Sequence, residues 1–107
     1  MASSTVLVLT TLPADADAAA FGRRLVEERL AACVSVFGSL HSVYRWKDAI
    51  EEAQEQQLVI KTDASVLDAL KQRFGALHPY DVPELLVMPV TGGGEAYLAW
   101  LRQSIAG

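Results

Sequence analysis

CVSVFGSLHSVYRWKDAIEEAQEQQLVIK, residues 33–61, reads as two long strands joined by a short polar break. Residues 33–46 alternate, with Val34, Val36, Leu40, Tyr44 and Trp46 on one phase. Gly38 interrupts that phase in the way a β-bulge does. Lys47, Asp48 and Ala49 read as the turn, and residues 50–61 return as a strand, polar at its start and apolar at its end. Arms of roughly 12 residues span about 40 Å at ~3.3 Å per residue. A chain of this length packs into a globule of about 33 Å, from a radius of gyration near ~13 Å. The hairpin must therefore overshoot its own domain.

The overshooting end carries Val43, Tyr44, Trp46 and Ile50. An isolated two-stranded ribbon with exposed aromatics is marginal in water and prone to edge pairing. Its simplest cover is a second copy of the same chain. A homo-oligomer is expected, with those four residues in its interface; a shorter hairpin with Trp46 folded back is the alternative. His41 falls on the phase opposite Val36 and Leu40, a surface or subunit-contact position.

Outward from the hairpin, residues 5–12 (TVLVLTTL) are apolar on both faces, as a central strand is. Asp15 or Asp17 caps a helix running to about Leu30, with Ala18, Phe21, Leu25 and Val26 inward and Arg23, Arg24, Glu27 and Glu28 solvated. Asp63 or Ser65 caps a second helix, in which Leu67, Leu70, Phe74 and Leu77 repeat at helical spacing. Residues 84–90 form another strand. After the break at residues 92–94, residues 95–105 form a short amphipathic helix with Tyr97, Leu98, Trp100 and Leu101. The order is β-α-β-β-α-β plus a terminal helix: a single α+β domain over residues 1–107, with the split-βαβ, ferredoxin-like order, an antiparallel sheet and helices on one face.

Composition narrows the function classes. Apolar residues make up 51% and charged ones 21%, which is globular. The net charge is −4 and the nine Lys and Arg are scattered, so no basic face for nucleic acid is expected. One cysteine, Cys33, excludes an internal disulfide and the multi-cysteine zinc patterns. Cys33 reads as a small buried hydrophobe. The first residues lack a basic n-region, and no run reaches the ~18 apolar residues of a membrane span. A soluble cytoplasmic protein with no membrane partner is expected. Residues 92–94 are not a phosphate loop, since no GK[ST] follows. No Ser-His-Asp or Cys-His pairing is identifiable, so no catalytic residue is expected.

Chemistry concentrates in residues 78–84, HPYDVPE. His78 is the strongest ligand candidate, because imidazole suits copper, nickel and zinc. Tyr80, Asp81 and Glu84 can add oxygens or support the ligands. A structural reading stands beside this one. The residue before proline leaves the α region, so His78 ends the helix and can cap its carbonyls; Pro79 sets a turn and Pro83 opens a strand.

ERLAACV (residues 28–34), SVYRWKDAIEE (42–52), IKT (60–62) and HPYDVPE (78–84) stand in the order found in the CutA family, the divalent-cation tolerance proteins, which this chain resembles over residues 6–103. The resemblance implies a homotrimer of ferredoxin-like subunits interlocked by their long hairpins. It implies a part in tolerance to divalent cations, copper above all, with divalent metal as the candidate ligand and no established catalytic activity. Copper-binding members can carry a cysteine and a second histidine where this chain has Thr10 and Leu77, so only His78 of that set remains. Tyr44, Arg45, Trp46, Glu51 and Lys61, with Tyr80, match positions around a cleft between subunits. There an aromatic pair, a cation and a carboxylate can hold a small anion, as effectors sit in the similarly built PII signalling trimers. Interface packing with an Arg–Glu pair is the other reading of the same residues.

Overall fold

The computed structural model describes residues 4–106. Its elements follow the expected order: β1 (Thr5–Pro13), α1 (Ala18–Glu27), β2 (Cys33–Trp46), β3 (Ala49–Asp63), α2 (Leu67–Leu77) after a single 3₁₀ turn, β4 (Leu86–Pro89) and α3 (Glu95–Ala106). The sheet order is β2-β3-β1-β4, antiparallel throughout. β1 is central, as its two-sided apolar sequence requires. None of the described helices is long and apolar enough to cross a membrane.

Directly opposed residues of an antiparallel pair share a face. Val6, Val8 and Leu12 of β1 and Leu58 and Ile60 of β3 point to one side, where Phe21 and Leu25 of α1 and Leu70 and Phe74 of α2 cover them. α3 packs Leu101 and Ile105 on Ala32 as a separate, smaller cluster. The Asp17 carboxylate caps α1, accepting the Ala20 N–H at 3.0 Å, and Asp63 caps the turn before α2, accepting the Ser65 N–H at 3.0 Å.

Several expectations change. α1 stops at Glu27 because Arg29 adopts φ 58°. The Leu30 N–H then bonds the Leu25 carbonyl and the Arg29 N–H the Val26 carbonyl, a Schellman closure without glycine. Val26 is exposed; the inward stripe runs through Ala18, Phe21, Gly22 and Leu25. At Gly22 a side chain would meet Val34 at 3.1 Å, so the helix lies too close to the sheet for one. Glu28 is not simply solvated. Arg73 holds its carboxylate at 2.6 and 2.8 Å and Arg24 at 2.7 Å, which keeps its pKa down at about 2 and ties α1 to α2. β4 begins at Leu86, later than expected, because residues 83–85 are not yet paired to the sheet.

The hairpin carries the main correction. Phe37 faces Gln57 and Leu40 faces Glu55, so Gly38 and Ser39 together oppose Gln56, with Ser39 at φ 57°. This bulge inverts the alternation of β2. Val34 and Val36 point to the helix-covered face, whereas Leu40, Tyr44 and Trp46 share the open face with Glu55, Glu51 and Ala49. His41, Val43 and Arg45 lie opposite. Lys47 and Asp48 alone form the turn, both at positive φ (50° and 67°) as a type I′ hairpin needs, and Ala49 belongs to β3. The molecule measures 45 × 25 × 24 Å, its long axis well beyond a globule of about 33 Å.

Candidate functional site

The connector after α2 builds two different environments. His78 adopts φ −80° and ψ 135°, the extended backbone that Pro79 imposes on its predecessor, and α2 ends there. Its ring turns inward, 8% exposed, with centroids 5.7 Å from Phe21, 5.6 Å from Phe74 and 5.2 Å from Tyr80. Nε2 donates to the Thr11 carbonyl at 2.9 Å, with the Thr10 hydroxyl 3.1 Å from the same nitrogen. Nδ1 accepts the Tyr80 N–H at 3.1 Å. A carbonyl only accepts and an amide N–H only donates, so the ring is fixed as the neutral Nε2–H tautomer. Burial lowers its pKa against the opposing pull of the Thr11 carbonyl and the Glu55 charge. The imidazole therefore tethers the connector to β1 instead of capping the carbonyls of its own helix.

This arrangement does not fit a metal within one protomer. Both nitrogens of His78 are engaged, and a metal on Nδ1 must displace the Tyr80 amide. Asp81 is exposed, and the Glu84 carboxylate accepts from the Gln57 amide at 3.2 Å. Among the described residues no three His, Cys, Asp or Glu side chains gather into a metal-holding group, so His78, Asp81 and Glu84 do not converge. Cys33 is half-buried rather than buried, opposite Lys61, with Sγ 3.9 Å from the Ser35 hydroxyl. Thr10 is fully buried beside His78, and Leu77 packs at the edge of the core.

The second environment is a groove of about 580 Å³ between the open face of the hairpin and the connector. Tyr44 and Trp46 from β2, Glu55 and Gln57 from β3, and Tyr80, Asp81 and Glu84 from the connector line it, with Thr11, Ser42, Val82 and Pro83. The bulge aims Tyr44 and Trp46 into this space. At its floor the Tyr80 hydroxyl donates to Glu55 Oε2 at 2.7 Å, although Glu55 is only 7% exposed. Burial, then the Glu55 carboxylate, push the Tyr80 pKa far above its ordinary value, so the phenol keeps its proton and remains the donor.

Residues 6–104 match the model of the family described as CutA1 divalent ion tolerance protein. The chain belongs to the CutA1 family. It is 45% identical to the divalent-cation tolerance protein CutA of Thermus thermophilus, over 92% of this chain and 95% of that one. It is similar to the crystal structure of CutA from Xylella fastidiosa, with TM-score 0.90 and 43% identity, covering 96% of this chain and 99% of that one. CutA1 from the psychrotrophic bacterium Shewanella sp. SIB1 superposes over the full length of both chains with TM-score 0.91 and 33% identity.

Of the CutA1 cleft positions expected from sequence, the fold gathers Tyr44, Trp46 and Tyr80 and adds Asp81 and Glu84 from the expected metal set. Arg45 lies on the opposite face of the hairpin, opposed to Ile50. Glu51 shares the open face with Tyr44 without lining the groove. Lys61 is at the hairpin root, opposite Cys33, its Nζ 5.9 Å from the Tyr97 ring centroid. The expected cations are thus absent from the lining. Glu55 and Gln57 were not singled out from sequence. Only their shared phase in β3 hinted that they face one side, and nothing local announced that Tyr80 would reach Glu55.

Proposed function

We propose that this CutA1 chain acts as a homotrimer in tolerance to divalent cations, copper foremost, in the cytoplasm, and that it meets metal weakly and catalyses no reaction. The observation that carries the assembly is the hairpin beyond the bulge. Tyr44 and Trp46 are exposed on one face, Val43 and Ile50 on the other. A ribbon apolar on both faces needs cover on both, which neighbouring copies supply. Leu86 and Met88, opposed to Leu9 and Leu7, extend the uncovered surface across the open face of the sheet. Membership in a family named for divalent-ion tolerance supports the metal connection.

With both nitrogens of His78 engaged, the donors left nearby are carboxylates such as Asp81 and Glu84, second-best partners for copper. The expected copper affinity is no tighter than roughly micromolar, about −8 kcal/mol. Light scattering after size exclusion should give three times the 11.6 kDa chain mass. Calorimetric copper titration near neutral pH should give the same weak isotherm for wild type and His78→Gln. A clean monomer sinks the assembly, and tight copper binding that His78→Gln abolishes makes His78 the metal donor.

A further inference from the structure

We propose that His78 is a proton-operated latch: neutral, it holds the connector of residues 78–85 on the sheet, and on protonation it releases that connector while the sheet and helices stay folded. Of these eight residues His78 alone is buried. Among the described hydrogen bonds, no backbone amide of the stretch reaches the sheet. Side chains do the holding. His78 Nε2 donates to the Thr11 carbonyl, the Tyr80 hydroxyl to Glu55, and the Gln57 amide to the Glu84 carboxylate. Leu85 packs half-buried at the edge of the core. A segment with so few buried contacts opens locally at a lower free energy than the core does.

The bonding around the ring accepts one protonation state. Nε2–H donates to the Thr11 carbonyl while Nδ1 accepts the Tyr80 N–H at 3.1 Å. A proton on Nδ1 sets two donors against each other there, because an amide N–H cannot accept. The rest of the cage offers the new proton no acceptor: α1 and α2 present Phe21 and Phe74, and β1 presents Thr10 and Thr11 to the other nitrogen. The facing groups that titrate are Glu55 of β3 and Tyr80 of the connector, and they are bonded to each other. Burial opposes the charged ring, and Glu55 favours it through its charge alone. His78 is bonded to neither Asp81 nor Glu84, so the latch stands apart from the weak metal contact proposed above. When the ring swings out to water, the Tyr80 N–H loses its acceptor and the groove loses the anchor of its connector wall.

Amide hydrogen exchange followed by NMR on the intact protein, corrected for the intrinsic pH dependence of exchange, tests the latch. At neutral pH the Tyr80 amide should exchange at least about a hundredfold faster than those of Val8 and Ile60, because it opens without global unfolding. Its protection should be level above about pH 6.5 and fall by up to about tenfold per pH unit below, since the open connector binds the proton first. His78→Gln should abolish that fall. Tyr80→Phe removes the bond to Glu55 and keeps the backbone N–H. It should lower the protection at every pH and leave the fall in place, so the latch stays testable if His78→Gln does not fold. Tyr80 protection equal to that of Val8 and Ile60, no fall below pH 6.5, or the same fall in folded His78→Gln overturns the proposal.

Discussion

The root and the tip of the long hairpin are made of the same two strands under opposite conditions. At the root, Leu58 and Ile60 are wholly buried beneath α1 and α2. Toward the tip, Val43 and Ile50 are 62% and 60% exposed, and Tyr44 and Trp46 nearly half so. β3 turns polar toward the tip, yet large apolar side chains persist there on both arms. What changes is the supplier of the cover: helices of the same chain at the root, and toward the tip only the connector across the groove, which leaves Tyr44 and Trp46 nearly half exposed. Substitutions at the two ends should therefore act on different equilibria, folding at one and association at the other.

The sharpest way to break this comparison is Ile60→Ala. Truncating a fully buried isoleucine costs about 2–5 kcal/mol. Urea denaturation should show a loss of that size, and a smaller one would mean that the root is not the folding core. Next comes Trp46→Ala. Far-ultraviolet circular dichroism should stay unchanged while the assembly weakens by about 2–4 kcal/mol, as loss of an interface anchor does. Light scattering through a dilution series reads this directly. If Trp46→Ala lowers protomer stability as Ile60→Ala does, the two ends are one structure and the division fails.

Acid sharpens the comparison from the connector side. The pKa of His78 is lowered in the fold by burial, so the unfolded chain takes up a proton first as pH falls. Stability is full above about pH 6.5, the ordinary histidine value. It declines below that, by at most about 1.4 kcal/mol per pH unit from this group, until the lowered pKa is passed. His78→Gln should flatten that slope in denaturation midpoints measured across the interval; an unchanged slope assigns it elsewhere. The smallest effect belongs to His41, exposed on the hairpin and held to Glu52 at 2.6 Å. Exposed pairs contribute about 0.2–1 kcal/mol, so His41→Ala should shift protomer stability by less than 1 kcal/mol. A loss rivalling that of Ile60→Ala would mean that the distal hairpin is already part of the folding core.

The element order, the central strand and the overlong hairpin were legible because each is written in local periodicity; the caps were legible only as pairs of candidates, of which the fold uses Asp17 for α1 and Asp63 for the 3₁₀ turn before α2. The end of α1 was not, because its left-handed residue is Arg29 where glycine or asparagine is the usual sign. The alternation of β2 was legible on either side of Gly38 but not across it: a two-for-one bulge reverses the phase, and reading straight through put Val36 and Tyr44 on one face. The groove was half legible. Tyr44 and Trp46 stood out as aromatics, and Asp81 and Glu84 as polar residues in a stiff connector. Glu55 acquires its meaning only from Tyr80, which lies 25 positions on and comes close through tertiary packing alone.

The bulge also sets what kinds of change the gene can accept. Gly38 and Ser39 are exposed, and nothing lies within 4 Å of where a side chain at Gly38 would begin, so replacements at Gly38 meet little steric resistance. A change of length matters by where it falls. Deleting one of the two residues would leave a single residue opposite Gln56 and keep Tyr44 and Trp46 on the open face, at the loss only of the local kink. Deleting one residue between Leu40 and Tyr44, with the bulge kept, would instead turn the rest of the arm over: Tyr44 and Trp46 would move to the side now held by Val43 and Arg45, emptying the groove. Changes within the bulge should be tolerated, whereas single-codon deletions beyond it should be purged.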